Sequence, residues 1–205
     1  AGSHQIWVLD LSKGGIATFA GTGREGLDDG DRHEATFSQP SGLAIAGRWL
    51  YVADAEASAV RRIHLDRGRV ETVVGTGLFD FGDRDGGFGK AQLQHPAGIL
   101  ALESGNILVA DTYNHKIKRI DPERREITTV LDTLSRAAGA ESGQVALNEP
   151  SGLAKLGSAV LIADTNNDRL LLFDPDSGSV EPWPLSGLSR KPVADKGPEA
   201  DESRR

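Results

Sequence analysis

The chain has no cysteine and no methionine among its 205 residues. Without cysteine it can form no disulfide, no zinc site built on thiolates, no iron–sulfur cluster and no thiol nucleophile of its own. Aromatic residues are few, at 5%. No apolar run reaches the roughly 18 residues that a membrane-spanning helix needs. No basic stretch followed by an apolar one opens the chain, so no secretory signal is read there. Basic residues are outnumbered, 23 against 30 acidic, and the net charge is −7. That balance disfavours nucleic acid, because neutralising phosphates takes a basic surface. The composition predicts a soluble, cytoplasmic globular protein with neither a membrane nor a nucleic-acid partner. The absent methionine fits either loss of an initiator before Ala1 or a piece of something longer.

What the chain does have is glycine, 25 residues of it, and a repeat. Pro40-Ser41-Gly42-Leu43 recurs as Pro96-Ala97-Gly98-Ile99 and as Pro150-Ser151-Gly152-Leu153, at spacings of 56 and 54. Each copy is followed by an apolar run that ends in Ala-Asp: Leu50 to Asp54, Ile107 to Asp111 and Leu161 to Asp164. A short polar turn comes next, then a third and a fourth apolar run. The runs are too short for helices, rich in Val, Ile and Leu, and punctuated by Gly, Asp, Asn and Pro. Four antiparallel strands per unit at this period predict an all-β protein, a β-propeller of four-stranded blades. One blade leaves both faces of its sheet uncovered, so blades must stack on one another.

His4-Gln5-Ile6-Trp7-Val8-Leu9-Asp10 aligns with His115 to Asp121, which places the start of the chain at a third strand. The predicted organisation is a propeller segment over 1–185, with a partial blade at 1–21 and complete blades at 40–75, 96–131 and 150–185. The stretch 186–205 is polar and reads as a disordered tail or linker. An open ring of this kind exposes blade faces and strand edges, which invites self-association.

The recurring Asp54, Asp111 and Asp164, with Asn114, read as turn-building residues whose side chains bind nearby backbone amides. In the third strands the outer positions stay apolar. The positions between them hold Arg61/Arg62 and Lys118/Arg119, which are expected to pack their stems and pair with acids. In an up-and-down blade, the turn between the second and third strands lies at the same end as the connection to the next blade. The long connections, Gly21 to Gln39, Gly75 to His95 and Asp132 to Glu149, therefore share a face with the Asp/Asn/His turns. Loops of this length in a compact fold are often functional.

That face carries Arg24, Asp29, Asp31 and Arg32 in the first loop, and Phe79, Phe81, Asp83 and Asp85 in the second. His115 and Asn167 stand in the turns. Acids interleaved with arginine and loop aromatics suit recognition of a protein or peptide. Asp83-Arg84-Asp85-Gly86 has the front half of a calcium loop but no distal Glu. No pair of histidines has metal-ligand spacing and no Gly-x-Ser-x-Gly elbow is present. No catalytic residue, metal or cofactor is assigned. His33, His95 and His115 on one face keep a metal-dependent enzyme as the alternative.

Ala110-Asp111-Thr112-Tyr113-Asn114-His115-Lys116-Ile117-Lys118-Arg119-Ile120 resembles the signature of NHL repeats. Ala163-Asp164-Thr165-Asn166-Asn167-Asp168-Arg169-Leu170 repeats it with Asp168 where the family usually has His, and Asp54 to Val60 keeps only the frame. The resemblance covers about residues 4 to 185 and implies a propeller, commonly of six blades. The Gly-Thr-Gly loops further resemble a subgroup that joins a thioredoxin-like domain to an NHL propeller. That resemblance implies a redox site outside this chain. The function expected of the chain itself is a non-enzymatic scaffold that binds protein or peptide through the long-loop face.

Overall fold

The computed structural model describes residues 2–132 and 145–185. The stretch 186–205, read above as a tail or linker, and most of the third long connection lie outside the described residues. Apart from loops and two single-turn 3-10 helices, Thr112–Asn114 and Thr165–Asn167, the described residues form short antiparallel strands. A two-stranded sheet opens the chain, β1 (Ile6–Asp10) with β2 (Gly15–Ala20). After β3 (Gly30–Asp31), a second sheet contains β4 (Pro40–Ala46), β5 (Trp49–Asp54), β6 (Ala59–His64) and β7 (Arg69–Val74). After β8 (Gly86–Gly87), a third contains β9 (Ile99–Ala101), β10 (Ile107–Asp111), β11 (Lys116–Asp121) and β12 (Glu126–Leu131). The fourth is β13 (Pro150–Leu156), β14 (Ala159–Asp164), β15 (Arg169–Phe173) and β16 (Val180–Trp183). Strand order follows chain order within each blade. The exceptions are β3 and β8, which add a fifth strand outside β7 and β12. Among the described residues the four sheets do not close into a ring.

The middle strands lie between blades, and this explains their composition. All five residues of β10 are buried. Ile107 and Val109 pack with Tyr51, Ala53 and Val73 of the second blade. Leu108 and Ala110 pack with Ile162, Leu171 and Phe173 of the fourth. Successive side chains leave opposite faces of a strand, so a strand covered on both faces must be apolar throughout. The junction of the first and second blades is Ile6, Ala20 and Phe37 against Val52, Ile63 and Val70. In β1 only Ile6 is buried; Trp7, Val8 and Leu9 are exposed, because this sheet has two strands and one covered face. Among the described residues, no helix is long and apolar enough to cross a membrane.

The inner strands approach very closely. An ideal Cβ on Gly42 would stand 2.4 Å from the carbonyl oxygen of Ala97, and one on Gly98 2.3 Å from that of Ser151. The repeat's glycine therefore lets the first strand of one blade lie against the first strand of the next. Ser41 Oγ donates to the carbonyl of Ala97 at 3.0 Å, and Thr112 Oγ1 to that of Pro150 at 2.9 Å, which tie the same junctions.

Candidate functional site

The long loops are fastened to the blades by three repeated devices. The first is the aspartate at the end of each second strand. Asp54, Asp111 and Asp164 each accept a 2.7 Å bond through Oδ1 from a backbone amide, of Ser38, Gln94 and Asn148 respectively. These amides belong to the preceding connection, two residues before the repeat's proline. The aspartates do bind backbone amides, but those of the incoming loop, so each anchors the connection that enters its blade. Asn114 and Asn167 serve the same carboxylates, each donating through Nδ2 to Oδ2 of Asp111 or Asp164 at 2.8 Å. Ala57 stands at that place in the second blade, and Asp54 Oδ2 has no hydrogen bond.

The second device is a buried cation on the third strand. A bulge between Val60 and Arg61, and another between Ile117 and Lys118, re-aims the side chain. Arg61 donates to the carbonyls of Thr36 and Asp28 at 2.8 and 2.9 Å and to Asp29 at 2.9 Å. Its Nη1 lies 3.5 Å from Asp54. Lys118 Nζ lies 2.8 Å from Asp83, 3.2 Å from Asp85 and 3.5 Å from Asp111. Asp29 and Asp85 also accept from the amide and the hydroxyl of Thr72 and Thr129. Asp29, Asp83 and Asp85 are therefore loop ties, spent on cations inside the molecule. Lys118 fills the space between Asp83 and Asp85 that the partial calcium motif would have offered to a metal. In the fourth blade Leu171 takes the cation's place, and Asp164 pairs instead with Arg169 at 2.7 Å.

Burial shifts these groups. It pushes Asp54 and Asp111 up to about 6, against the hydrogen bonds and cations that pull them down. Burial pulls Lys118 down, but its hydrogen bond to Asp83 and the charges of Asp111, Asp83 and Asp85 outweigh that and raise it. Asp83 ends lower than an ordinary carboxyl: burial opposes this, and the bonds from Lys116 and Lys118 win.

The third device crosses between blades. His4, Ser58 and His115 have positive φ in the turn before the third strand. Gln39, His95 and Glu149 have positive φ immediately before the repeat's proline. Each of the first set accepts a hydrogen bond from the amide of its counterpart: Gln39 to His4 Nδ1 at 3.3 Å, His95 to Ser58 Oγ at 3.2 Å, Glu149 to His115 Nδ1 at 3.0 Å. The left-handed conformation costs a non-glycine residue roughly 1–2 kcal/mol, so the bond holds two strained turns together. Nothing in the sequence reading foresaw this role for His115; its signal was the shared position of His4 and His115.

With the loops fastened, two clefts open on their face. One has about 530 Å³ and is lined by Arg24, Glu25, Asp28, His33, Glu34 and Thr36. Beside it, Arg32 lies over the Phe19 ring at 5.1 Å, and Asp31 accepts from the amide of His33 at 2.9 Å. The other has about 190 Å³ and is lined by Phe79, Phe81, Tyr113, His95, Leu78 and Glu56. Phe79 is 91% exposed and Phe81 58%. Tyr113 and His95 stack with ring centres 4.5 Å apart. Asn167 donates to Asp164 and to the carbonyl of Ala146 and belongs to the anchoring set. Of the three histidines on this face, His33 contacts Arg32, His95 stacks on Tyr113, and His115 serves the blade junction. Among the described residues, no group of three His, Asp or Glu is placed to hold a metal.

The NHL repeat family model matches residues 93–120. NHL repeat-containing protein 2 of Bos taurus is 40% identical over 211 residues, covering 90% of this chain and 29% of that protein. The Arabidopsis thaliana protein SUPPRESSOR OF QUENCHING 1, chloroplastic, is 36% identical over 218 residues, covering 100% of this chain and 20% of that protein. The chain thus spans less than a third of the length of the curated relatives it matches. Among solved structures, a structural genomics protein of unknown function from Bacteroides thetaiotaomicron superposes with a TM-score of 0.63 at 16% identity. It covers 82% of this chain and 42% of that one, a likeness of fold.

Proposed function

The chain belongs to the NHL-repeat β-propeller family, and from that premise we propose that it is a scaffold that binds a peptide or protein segment on its long-loop face, without chemistry of its own. The observation that carries this is the aromatic cleft. Phe79 and Phe81 stand out from a loop that is otherwise tied down, beside the stacked Tyr113 and His95. Exposed aromatics on a fixed support lose little freedom on binding and are the usual anchors of recognition. The loop beneath them is held by Asp83 and Asp85 on Lys118 and by Gln92 on Asp80 and Arg84, so the cleft is formed before a partner arrives. Glu56 on the rim favours a segment that pairs an apolar or aromatic side chain with a cationic one.

The test is selection of peptides from a displayed random library on the full chain, followed by titration of the winners. Phe79→Ala with Phe81→Ala should weaken them by at least about tenfold, and by about thirtyfold if the two rings together contribute about 2 kcal/mol. Urea unfolding should hardly change, since both rings are largely outside the core. Peptides that bind the double variant unchanged, or a selection that yields none, would refute the scaffold reading.

A further inference from the structure

A third cavity, of about 560 Å³, lies at the opposite end of the blades. It sits between the second and third blades, among the turns Ala46–Gly47, Ser104–Asn106 and Pro122–Arg124. These turns join first to second and third to fourth strands, so the long loops and their aromatic cleft are on the far side.

Two aromatic residues of β5 form its wall. Trp49 is held rigidly: the Arg62 guanidinium lies 4.1 Å from its ring centre and His64 meets it edge-on at 4.9 Å. Arg62 is itself neutralised by Glu71 at 2.7 Å. Tyr51 is 2% exposed, yet its hydroxyl has no hydrogen-bond partner among the described residues. The hydroxyl is not sealed in the core but keeps contact with the cavity that Tyr51 lines, and that is where a partner can reach it. Asn106 bonds through its backbone amide to Ser104, and its carboxamide has no partner among the described residues.

The charge of the rim decides the ligand class. Arg119 and Arg124 are matched by Asp121 and Glu123. Asp121 is already engaged, accepting from the amides of Glu123 and Arg124 at 3.0 and 2.9 Å. No excess of either sign faces the cavity. What it offers is a fixed aromatic wall with neutral hydrogen-bonding groups beside it, in a volume typical of small-molecule sites. We propose that this cavity binds a neutral saccharide, with Trp49 as the apolar wall and Tyr51 Oη and the Asn106 carboxamide as partners for ring hydroxyls.

Titration of the full chain with glucose, galactose, mannose and maltose, followed by tryptophan fluorescence and calorimetry, tests this. At least one sugar should bind saturably. Tyr51→Phe and Asn106→Ala should each raise its Kd about tenfold, while Phe79→Ala leaves it unchanged. A site built to bond a hydroxyl discriminates through the group left unpaired when that partner is removed. Urea unfolding of both variants separates lost binding from lost fold. The proposal is overturned if none of these sugars binds saturably, if binding survives both substitutions in folded protein, or if glucuronate and glucose 6-phosphate bind more tightly than glucose. Peptide binding on the other face is read separately, so either site can fail alone.

Discussion

Replacing Lys118 by alanine should lower the unfolding free energy by about 3–5 kcal/mol at pH 8, read as an earlier urea midpoint. The substitution removes a cation that three carboxylates surround. Asp111 has no route to solvent, and without Lys118 it must carry an unneutralised buried charge or bind a proton. The loss therefore depends on pH, with a definite sign. Asp111 has its folded pKa raised by burial from 3.8 to about 6. A raised carboxyl contributes stability that is complete below the unfolded value and is lost as pH rises through the folded one. In the native protein the bonds from Gln94 and Asn114 and the charge of Lys118 limit that loss; the alanine variant keeps the two bonds but loses the charge. The difference between the two proteins should grow from pH 5 to pH 8. A difference that is constant over that range would mean that Asp111 is not the group Lys118 serves. The same variant should weaken any peptide held by Phe79 and Phe81, because their loop hangs on Asp83 and Asp85. Lys118→Met, which keeps the buried stem, should recover packing but not the pH dependence.

The blades are legible in the sequence because a strand buried on both faces can hold only apolar residues, and this chain repeats such strands at a nearly constant interval. The short strands β3 and β8 are not legible. Two residues, at least one a glycine, show no alternation, and they pair only because the loop is already drawn against the outer strand. The same applies to the loop acids. Asp29, Asp83 and Asp85 look like free recognition groups when the loops are read alone, since their cations lie more than thirty positions away. A signal was present all the same. Asp29 and Asp85 are one repeat apart, as are Arg61 and Lys118, and Thr72 and Thr129. Acid, cation and threonine recurring together mark a structural unit, while Phe79 and Phe81 have no counterpart in the first loop. Of the residues proposed for binding, Asp29, Asp85, His115 and Asn167 recur with their partners and are tied, Asp83 is tied without a counterpart in the first loop, and Phe79 and Phe81 stay unspent. The cavity at Tyr51 could not be read at all, because a hydroxyl's lack of a partner is a property of packing.

Gly98→Ala and Gly152→Ala change the same motif residue and should have very different consequences. In Gly98 an ideal Cβ would lie 2.3 Å from the carbonyl oxygen of Ser151 and 3.2 Å from its carbon. Both obstacles are backbone, so the third and fourth blades would have to separate at the axis. A cost of about 3 kcal/mol is expected, the upper end for an overpacked site. Thr112 and Pro150 would feel the separation, because their 2.9 Å bond spans the same junction. In Gly152 the Cβ would meet only the Cβ of Ala163, at 3.3 Å. Neither glycine has the positive φ that alanine resists, so strain in the backbone does not distinguish them. Ala163 has to give by only a few tenths of an ångström, so Gly152→Ala should stay within about 0.5 kcal/mol of the parent, the reduced freedom of the unfolded chain offsetting the tight contact. Gly42→Ala, whose Cβ would lie 2.4 Å from the carbonyl oxygen of Ala97, should behave like Gly98→Ala. Urea unfolding of the three variants measures the contrast. Equal losses at all three positions would show that the glycine serves its own strand; loss only at Gly42 and Gly98 shows that it serves the neighbouring blade.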